Sequence, residues 1–313
     1  MQFVLRGLTW TELLVYLDDI VIIGSSFEHC LTNLRNALLR FRQFNLKLKP
    51  KKCQLFKKEV EFLGKLVSSE DIKISPSKAE AVSYWPVPTN RNELMSFLGF
   101  VNYHRDHVPN FASLTASIYT PAHEHEKPIW EPAHEEAFLK TKQALSSTPC
   151  LAYPKPSDKF ILDTDASDVS IGGVLSQLQD GKEVVICYAS HVLIKPQRKY
   201  CITRKELLAV VKFCRYFRHY LLGRRFVLRT DHNSLIWLMR FKHIEGQLAR
   251  WLEELAQFDM EIVHRSDKKH QNADGLSRIP DRLQDCDCYH AGSNPAQLPC
   301  DSCSFCQSPY PVE

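Results

Sequence analysis

Several carboxylates in this 313-residue chain stand where acidic side chains are costly unless they have work to do. Asp18 and Asp19 are adjacent in the middle of LLVYLDDIVIIGSS (Leu13–Ser26), an otherwise apolar and β-prone run. Asp163 and Asp165 alternate within KFILDTDASDVSIGGVLSQ, Glu206 sits in CITRKELLAVVKFCRYF, Asp231 in RFVLRTDHNSLIWL and Asp274 in HQNADGLSR. Carboxylate oxygens are the ligands that Mg²⁺ prefers, and acids gathered around such ions drive phosphoryl chemistry. Each acid also has an ordinary explanation. Asp18 and Asp19 suit the solvated tip of a hairpin, Thr203 and Glu206 have the spacing of a capping box, and Asp231 and Asp274 suit helix caps or dipole partners.

The elements that must carry these acids follow from periodicity. Two apolar strands flank Asp18 and Asp19, a helix runs near Glu28 to Phe44, and EVEFLGKLVSSEDIKIS forms a second hairpin-like pair. From Ser77 two capped helical stretches, SPSKAEAVSYW and TNRNELMSFLGFVNYHRDHV, are separated by breaks at Pro86 and Pro88, and a helix at Ala133 to Ser146 follows. TPCLAYPKPSD, with three prolines, reads as a linker. After it comes a strand-strand-strand-helix-strand-helix-helix-strand order ending near Arg278, which implies an α/β layered domain. Alternation places Ile161, Asp163 and Asp165 on one strand face, so spacing does not choose between the two aspartates. Ala209, Val210, Phe213, Cys214 and Phe217 continue a helical stripe from Glu206, which puts this carboxylate at the top of a buried face where it needs a partner.

The bulk properties are those of a globular protein with about two cores: 44% apolar, 24% charged, net charge +4. So mild a charge makes nucleic-acid binding a matter of local patches, and LKLKPKKCQLFKK carries six lysines, among them Lys47, Lys49, Lys51 and Lys52. They are candidates for phosphate contacts, or simply a solvated strand and turn. No signal peptide opens the chain and Asp18 and Asp19 interrupt its longest apolar run, so a soluble intracellular protein with no membrane partner is expected. Eleven cysteines without a small-domain framework suggest reduced thiols.

Taken in order, VYLDDIVIIGSSFEH, LKLKPKKCQLFKKEVEFLG, WPVPTNRNELMSFLGFVNYHRDHVPNFA, FILDTDASDVSIGGVLSQ, YCITRKELLAVV, RTDHNSLIWL and HQNADGLSR closely resemble the polyprotein of gypsy-type long-terminal-repeat retrotransposons. The resemblance covers nearly everything up to about Pro280. It implies a mixed α/β (α+β) chain in which a partial reverse transcriptase palm and thumb precede a ribonuclease H-like domain. The implied segments are 1–75 (late palm), 76–120 (thumb), 121–157 (connection or linker), 158–280 (ribonuclease H-like) and 281–313 (a Cys-rich, disordered tail). By resemblance the catalytic, metal-binding acids are Asp165, Glu206, Asp231 and Asp274, with Asp165 and not Asp163 as the ligand, and His270 matches a histidine that many relatives carry. The acids would hold two Mg²⁺ ions roughly 4 Å apart, for which Mn²⁺ can substitute, to hydrolyse the RNA strand of an RNA–DNA hybrid. YLDD resembles the polymerase metal-binding turn, but that site requires a third, upstream aspartate. Glu12 is the sole acid before Asp18 and is too distant on the same strand, so Asp18 and Asp19 are expected to be a remnant polymerase site.

The competing readings are a non-catalytic hybrid-binding remnant and a piece of a longer polyprotein with RNA-directed DNA polymerase activity. In the tail, Cys286, Cys288, Cys300, Cys303 and Cys306 have tight spacings that suit Zn²⁺, but two clean C-x2-C pairs are lacking. A linker toward an integrase region is the expectation there, with zinc the alternative.

Overall fold

The computed structural model describes residues 1–124, 130–231 and 246–264. Asp274, His270 and the five tail cysteines lie outside the described residues, and so does the expected tail itself.

Near the N-terminus, β1 (Leu13–Tyr16) and β2 (Asp19–Ile22) pair antiparallel with Tyr16 opposite Asp19. Only Leu17 and Asp18 remain to turn the chain, and Leu17 takes φ +52°. A two-residue hairpin needs positive φ to match strand twist, and a leucine there is strained where glycine or asparagine would be easy. Helix α1 (Phe27–Gln43) is capped by Ser26, whose hydroxyl accepts from the His29 amide at 3.1 Å, and buries Ala37 and Phe41 with Leu5 and Leu13. The lysine run follows as irregular exposed chain around a 3-10 turn at Pro50–Lys52. The expected hairpin-like pair is a three-stranded antiparallel meander of β3 (Val60–Phe62), β4 (Lys65–Val67) and β5 (Asp71–Ile74).

Four helices come next: α2 (Pro76–Ser83), α3 (Arg91–Tyr103), α4 (Phe111–Glu124) and α5 (Pro132–Ser146). Asn90 caps α3 by accepting from the Glu93 amide at 3.0 Å, and the Glu93 carboxylate accepts from the Thr89 amide at 2.8 Å. Leu94, Phe97 and Val101 of α3 meet Phe138 and Leu145 of α5 in a core of their own. The proline-rich stretch read as linker contributes β6 (Leu151–Ala152), which pairs with β5. Its two residues form a strand because β5 offers a free edge, a non-local cause that composition does not reveal.

The remaining described elements are β7 (Phe160–Ala166), β8 (Ser170–Gln179), β9 (Lys182–Val192), α6 (Lys195–Arg198), α7 (Ile202–Tyr216), α8 (Arg218–Leu221), β10 (Phe226–Thr230), α9 (Gly246–Leu255) and β11 (Met260–His264). Their sheet has the order β11-β10-β7-β8-β9. β7, β8 and β9 form an antiparallel meander, while β10 runs parallel to β7 and β11 parallel to β10. The chain runs outward from β7 to β9 and then crosses to β10 and β11 on the other side of β7, so strand order reverses between β7 and β10, a switch point of the kind at whose strand ends α/β sheets place their sites.

Helix α7 packs on the face carrying Phe160, Leu162 and Leu175, burying Leu207, Val210, Phe213 and Phe217. Approach is closest at Gly173, where a Cβ would lie 2.7 Å from Cγ of Phe213. Gly173→Ala is therefore expected to cost about 1–3 kcal/mol by overpacking. A urea unfolding midpoint unchanged from the parent would show that the ring has room to move. The described cysteines Cys30, Cys53, Cys150, Cys187, Cys201 and Cys214 are unpaired thiols. Among the described residues no helix is long and apolar enough to cross a membrane.

Candidate active site

Asp165 lies near the carboxyl end of β7 and Asp231 immediately after β10. The two strands are parallel with Val227 beside Ile161, Leu228 beside Leu162 and Arg229 beside Asp163, and continuing that register sets Asp231 beside Asp165. Glu206 reaches the same place from the first turns of α7. One oxygen from each of the three acids lies within 4.8 Å of the others, the one such group of three among the described residues. Asp165 and Glu206 are buried, at 8% and 3% exposure, and Asp231 is half-buried.

The helix that carries Glu206 is fixed to the β7–β8 turn at two points. The Ala166 amide donates to Glu206 Oε1 at 3.0 Å, and the buried Lys205 ammonium pairs with Asp168. Ser167 closes that turn by accepting from the Ser170 amide at 3.0 Å. The capping-box alternative for Glu206 does not form. Helix α7 starts at Ile202 with Cys201 as its N-cap, and no side chain hydrogen-bonds at the cap. At the far side, His264 at the end of β11 donates from Nε2 to the Asp231 backbone carbonyl at 2.9 Å. Sequence reasoning missed His264, which acts on the strand end and not on the carboxylate.

The arrangement is electrostatically loaded. Glu206 Oε2 and Asp231 Oδ1 are buried without a hydrogen-bond partner. Burial first, then the charges of Asp165 and Asp231, push the Glu206 carboxyl up to about 9, against the lowering effect of the Ala166 amide. Three converging carboxylates, two of them with buried oxygens that lack a hydrogen-bond partner, fit a hard divalent cation, the donor chemistry of Mg²⁺ or Mn²⁺.

Asp163 has a different fate, although it shares a strand face with Asp165. Its carboxylate, 4% exposed as a residue, receives Arg229 Nε at 2.6 Å and also Arg229 Nη2, while Arg229 Nη1 donates to Glu183 at 2.9 Å. Burial would lower the Arg229 guanidinium, but its bonds to Glu183 and Asp163 hold it well above its ordinary range. Asp163 is thus committed to a cation of the protein. Asp163→Asn is consequently no neutral comparison for Asp165→Asn, because it removes one arm of a buried ion pair.

At the N-terminal hairpin Asp18 and Asp19 are both exposed, and no third acid joins them among the described residues. The Glu12 carboxylate is engaged elsewhere, accepting from Asn36 Nδ2 at 2.9 Å. Lys47, Lys49, Lys51 and Lys52 are exposed. If they neutralise phosphates, replacing Lys49, Lys51 and Lys52 by Gln should flatten the dependence of log affinity on log salt by about 0.7–0.9 for each phosphate released. An unaltered slope would assign them to solvent.

The class to which this sheet and hairpin belong, reverse transcriptase with ribonuclease H, is given by two family models. Residues 1–67 match the family model described as reverse transcriptase (RNA-dependent DNA polymerase), and residues 155–258 match the RNase H-like domain found in reverse transcriptase. The chain is 37% identical over 280 residues to the retrovirus-related Pol polyprotein from transposon 297 of Drosophila melanogaster, covering 89% of this chain and 26% of that protein. It is 33% identical over 279 residues to the transposon Tf2-3 polyprotein of Schizosaccharomyces pombe, covering 88% and 21%. The chain thus carries reverse transcriptase and ribonuclease H-like domains, and its homologues are the Pol polyproteins of gypsy-type long-terminal-repeat retrotransposons. It spans about a quarter of the length of the curated relatives it matches. Among solved structures, the foamy viral protease-reverse transcriptase in complex with RNA/DNA hybrid superposes with TM-score 0.73 at 20% identity, covering 91% of this chain and 39% of that one. The same enzyme in complex with dsDNA gives 0.72 at 20% identity, covering 85% and 56%.

Proposed function

We propose that this chain is a divalent-metal-dependent endoribonuclease that hydrolyses the RNA strand of RNA–DNA hybrids at the cluster of Asp165, Glu206 and Asp231. The observation that carries this reading is the convergence of three acids from β7, α7 and the end of β10 within 4.8 Å, with buried oxygens lacking a hydrogen-bond partner on Glu206 and Asp231. Asp274 is the fourth acid by resemblance, and His270 is proposed to assist product release. Divalent ions held there would supply an activated water and stabilise the leaving 3′ oxygen. The protein's own contribution is positional. The parallel register of β7 and β10 holds Asp165 beside Asp231, the Ala166 amide orients Glu206 so that one oxygen stays available, and Arg229 keeps Asp163 from competing for cations.

The polymerase site is proposed to be inactive in this chain by itself, since Asp18 and Asp19 are joined by no third carboxylate among the described residues. Presented with an RNA–DNA hybrid, a DNA duplex and an RNA duplex in Mg²⁺, the 313-residue chain should cut only the RNA of the hybrid and extend no primer. Equal cutting of the DNA duplex would contradict the substrate assignment, and templated nucleotide incorporation would contradict the polymerase assignment.

A further inference from the structure

A second polar cleft opens between the 3-10 turn after α3 and the β9–α7 face of the sheet, with a volume of about 240 Å³. Its polar lining is Arg105, Ser190, His191, Lys212 and Tyr216, with Ala189 and Phe213 completing it, and the Ser190 hydroxyl accepts from the Ala112 amide at 2.8 Å. His191 stands in the fields of both Lys212 and Arg105, so this small concavity favours an anion over a further positive charge. Burial, then the charges of Lys212 and Arg105, lowers the His191 imidazole, and burial, then Arg215, lowers the Lys212 ammonium. Arg215 is itself engaged by Glu254 at 2.8 and 2.6 Å. One acid, Asp106, meets two of the lining residues. It accepts from the Tyr216 hydroxyl at 3.1 Å and lies 3.7 Å from Arg105 Nε, while Arg105 Nη2 donates to Tyr216 at 3.3 Å. These bonds hold Arg105 in place and offset one positive charge. Neither Lys212 nor His191 has an ion pair or hydrogen bond of its side chain among the described residues.

The position of the cleft relates it to the acid cluster. His191 is the register partner of Ile171, and Ile171 of Ala166, the residue whose amide holds Glu206. The three share a face, so the cleft lies two strand spacings, about 10 Å, from that amide. Lys212 is six residues along α7 from Glu206, about 9 Å of helix rise.

We propose that the cleft of Arg105, His191 and Lys212 is a phosphodiester-binding site that takes a backbone phosphate of the same duplex whose RNA strand is cut at the acid cluster. It rests on the functional reading above and adds to it a second anchor, shared between the helical region and the sheet, that sets where the duplex lies. A phosphate there gives Lys212 and His191 an acceptor and offsets the field that Lys212 and Arg105 exert on His191, which water does less well.

The test is hybrid binding by the full chain in chelator, so that nothing is cut, measured over a series of salt concentrations. Lys212→Gln and Arg105→Gln should each lower the slope of log affinity against log salt by about 0.7–0.9, Lys212→Arg should retain it, and Lys140→Gln, on the exposed face of α5, should leave it unchanged. An unaltered slope in both Lys212→Gln and Arg105→Gln overturns the proposal. Calorimetric binding of inorganic phosphate that Lys212→Gln abolishes, with the hybrid slope unaltered, would make the cleft a free-phosphate site and likewise overturn it. Failure of the unmutated chain to bind hybrid at all removes instead the functional reading on which the cleft depends.

Discussion

Asp165→Asn, Glu206→Gln and Asp231→Asn are each expected to reduce hybrid cleavage by roughly a thousand-fold, about 4 kcal/mol of barrier, while the protein stays folded. The three oxygens converge on one small volume, so removing any one charge weakens the hold on the ions that all three share. Losses within such a unit do not add, and double variants should be scarcely worse than single ones. Glu206→Gln is the most informative of the three. Glutamine keeps an oxygen to accept from the Ala166 amide and matches the neutral carboxyl that burial favours without metal, so the fold should survive. A Glu206→Gln protein that melts normally and still cuts hybrid at the parental rate would return this residue to a structural role.

Without divalent ions, stability should fall as pH rises from about 4.5 toward about 9, and the Glu206→Gln variant should lack this component. The sign follows from linkage. Glu206 has a folded pKa near 9 and an ordinary value of 4.5, so between those limits the folded state holds a proton that the unfolded state has released. Its contribution is complete below 4.5 and disappears as pH climbs through the folded value. Each unit crossed is worth up to about 1.4 kcal/mol, so the whole effect is on the order of a few kcal/mol. Mg²⁺ favours the ionised carboxylates and should restore more stability at high pH than at low pH. Melting temperatures with and without Mg²⁺ across that window check both statements, and a pH slope shared equally by Glu206→Gln would place its origin elsewhere.

Much of this is legible in the sequence, and the exceptions have physical causes. The hairpin around Asp18 and Asp19, helix α1 and the α/β order from β7 onward follow from local periodicity, which needs no partner to be read. The choice between Asp163 and Asp165 does not, since alternation puts both on one face. Resemblance favours Asp165, while Asp163 is bonded by Arg229, 66 residues away in sequence. A signal for this is present: DTD in β7 and RTD at the end of β10 have the same two-residue spacing. If Asp165 and Asp231 meet on parallel neighbouring strands, Asp163 and Arg229 must meet as well. Helix α4 and strand β6 do not stand out from pattern. The first follows α3 after only a short 3-10 turn, and the second depends on the edge of β5.

The decisive measurement mixes the purified chain with a hybrid labelled at the end of its RNA strand, in Mg²⁺ and in chelator. Shorter RNA products are expected in Mg²⁺, with an intact DNA strand and no cutting in chelator. A folded chain that binds the hybrid yet leaves its RNA whole in both Mg²⁺ and Mn²⁺ would contradict the proposed function.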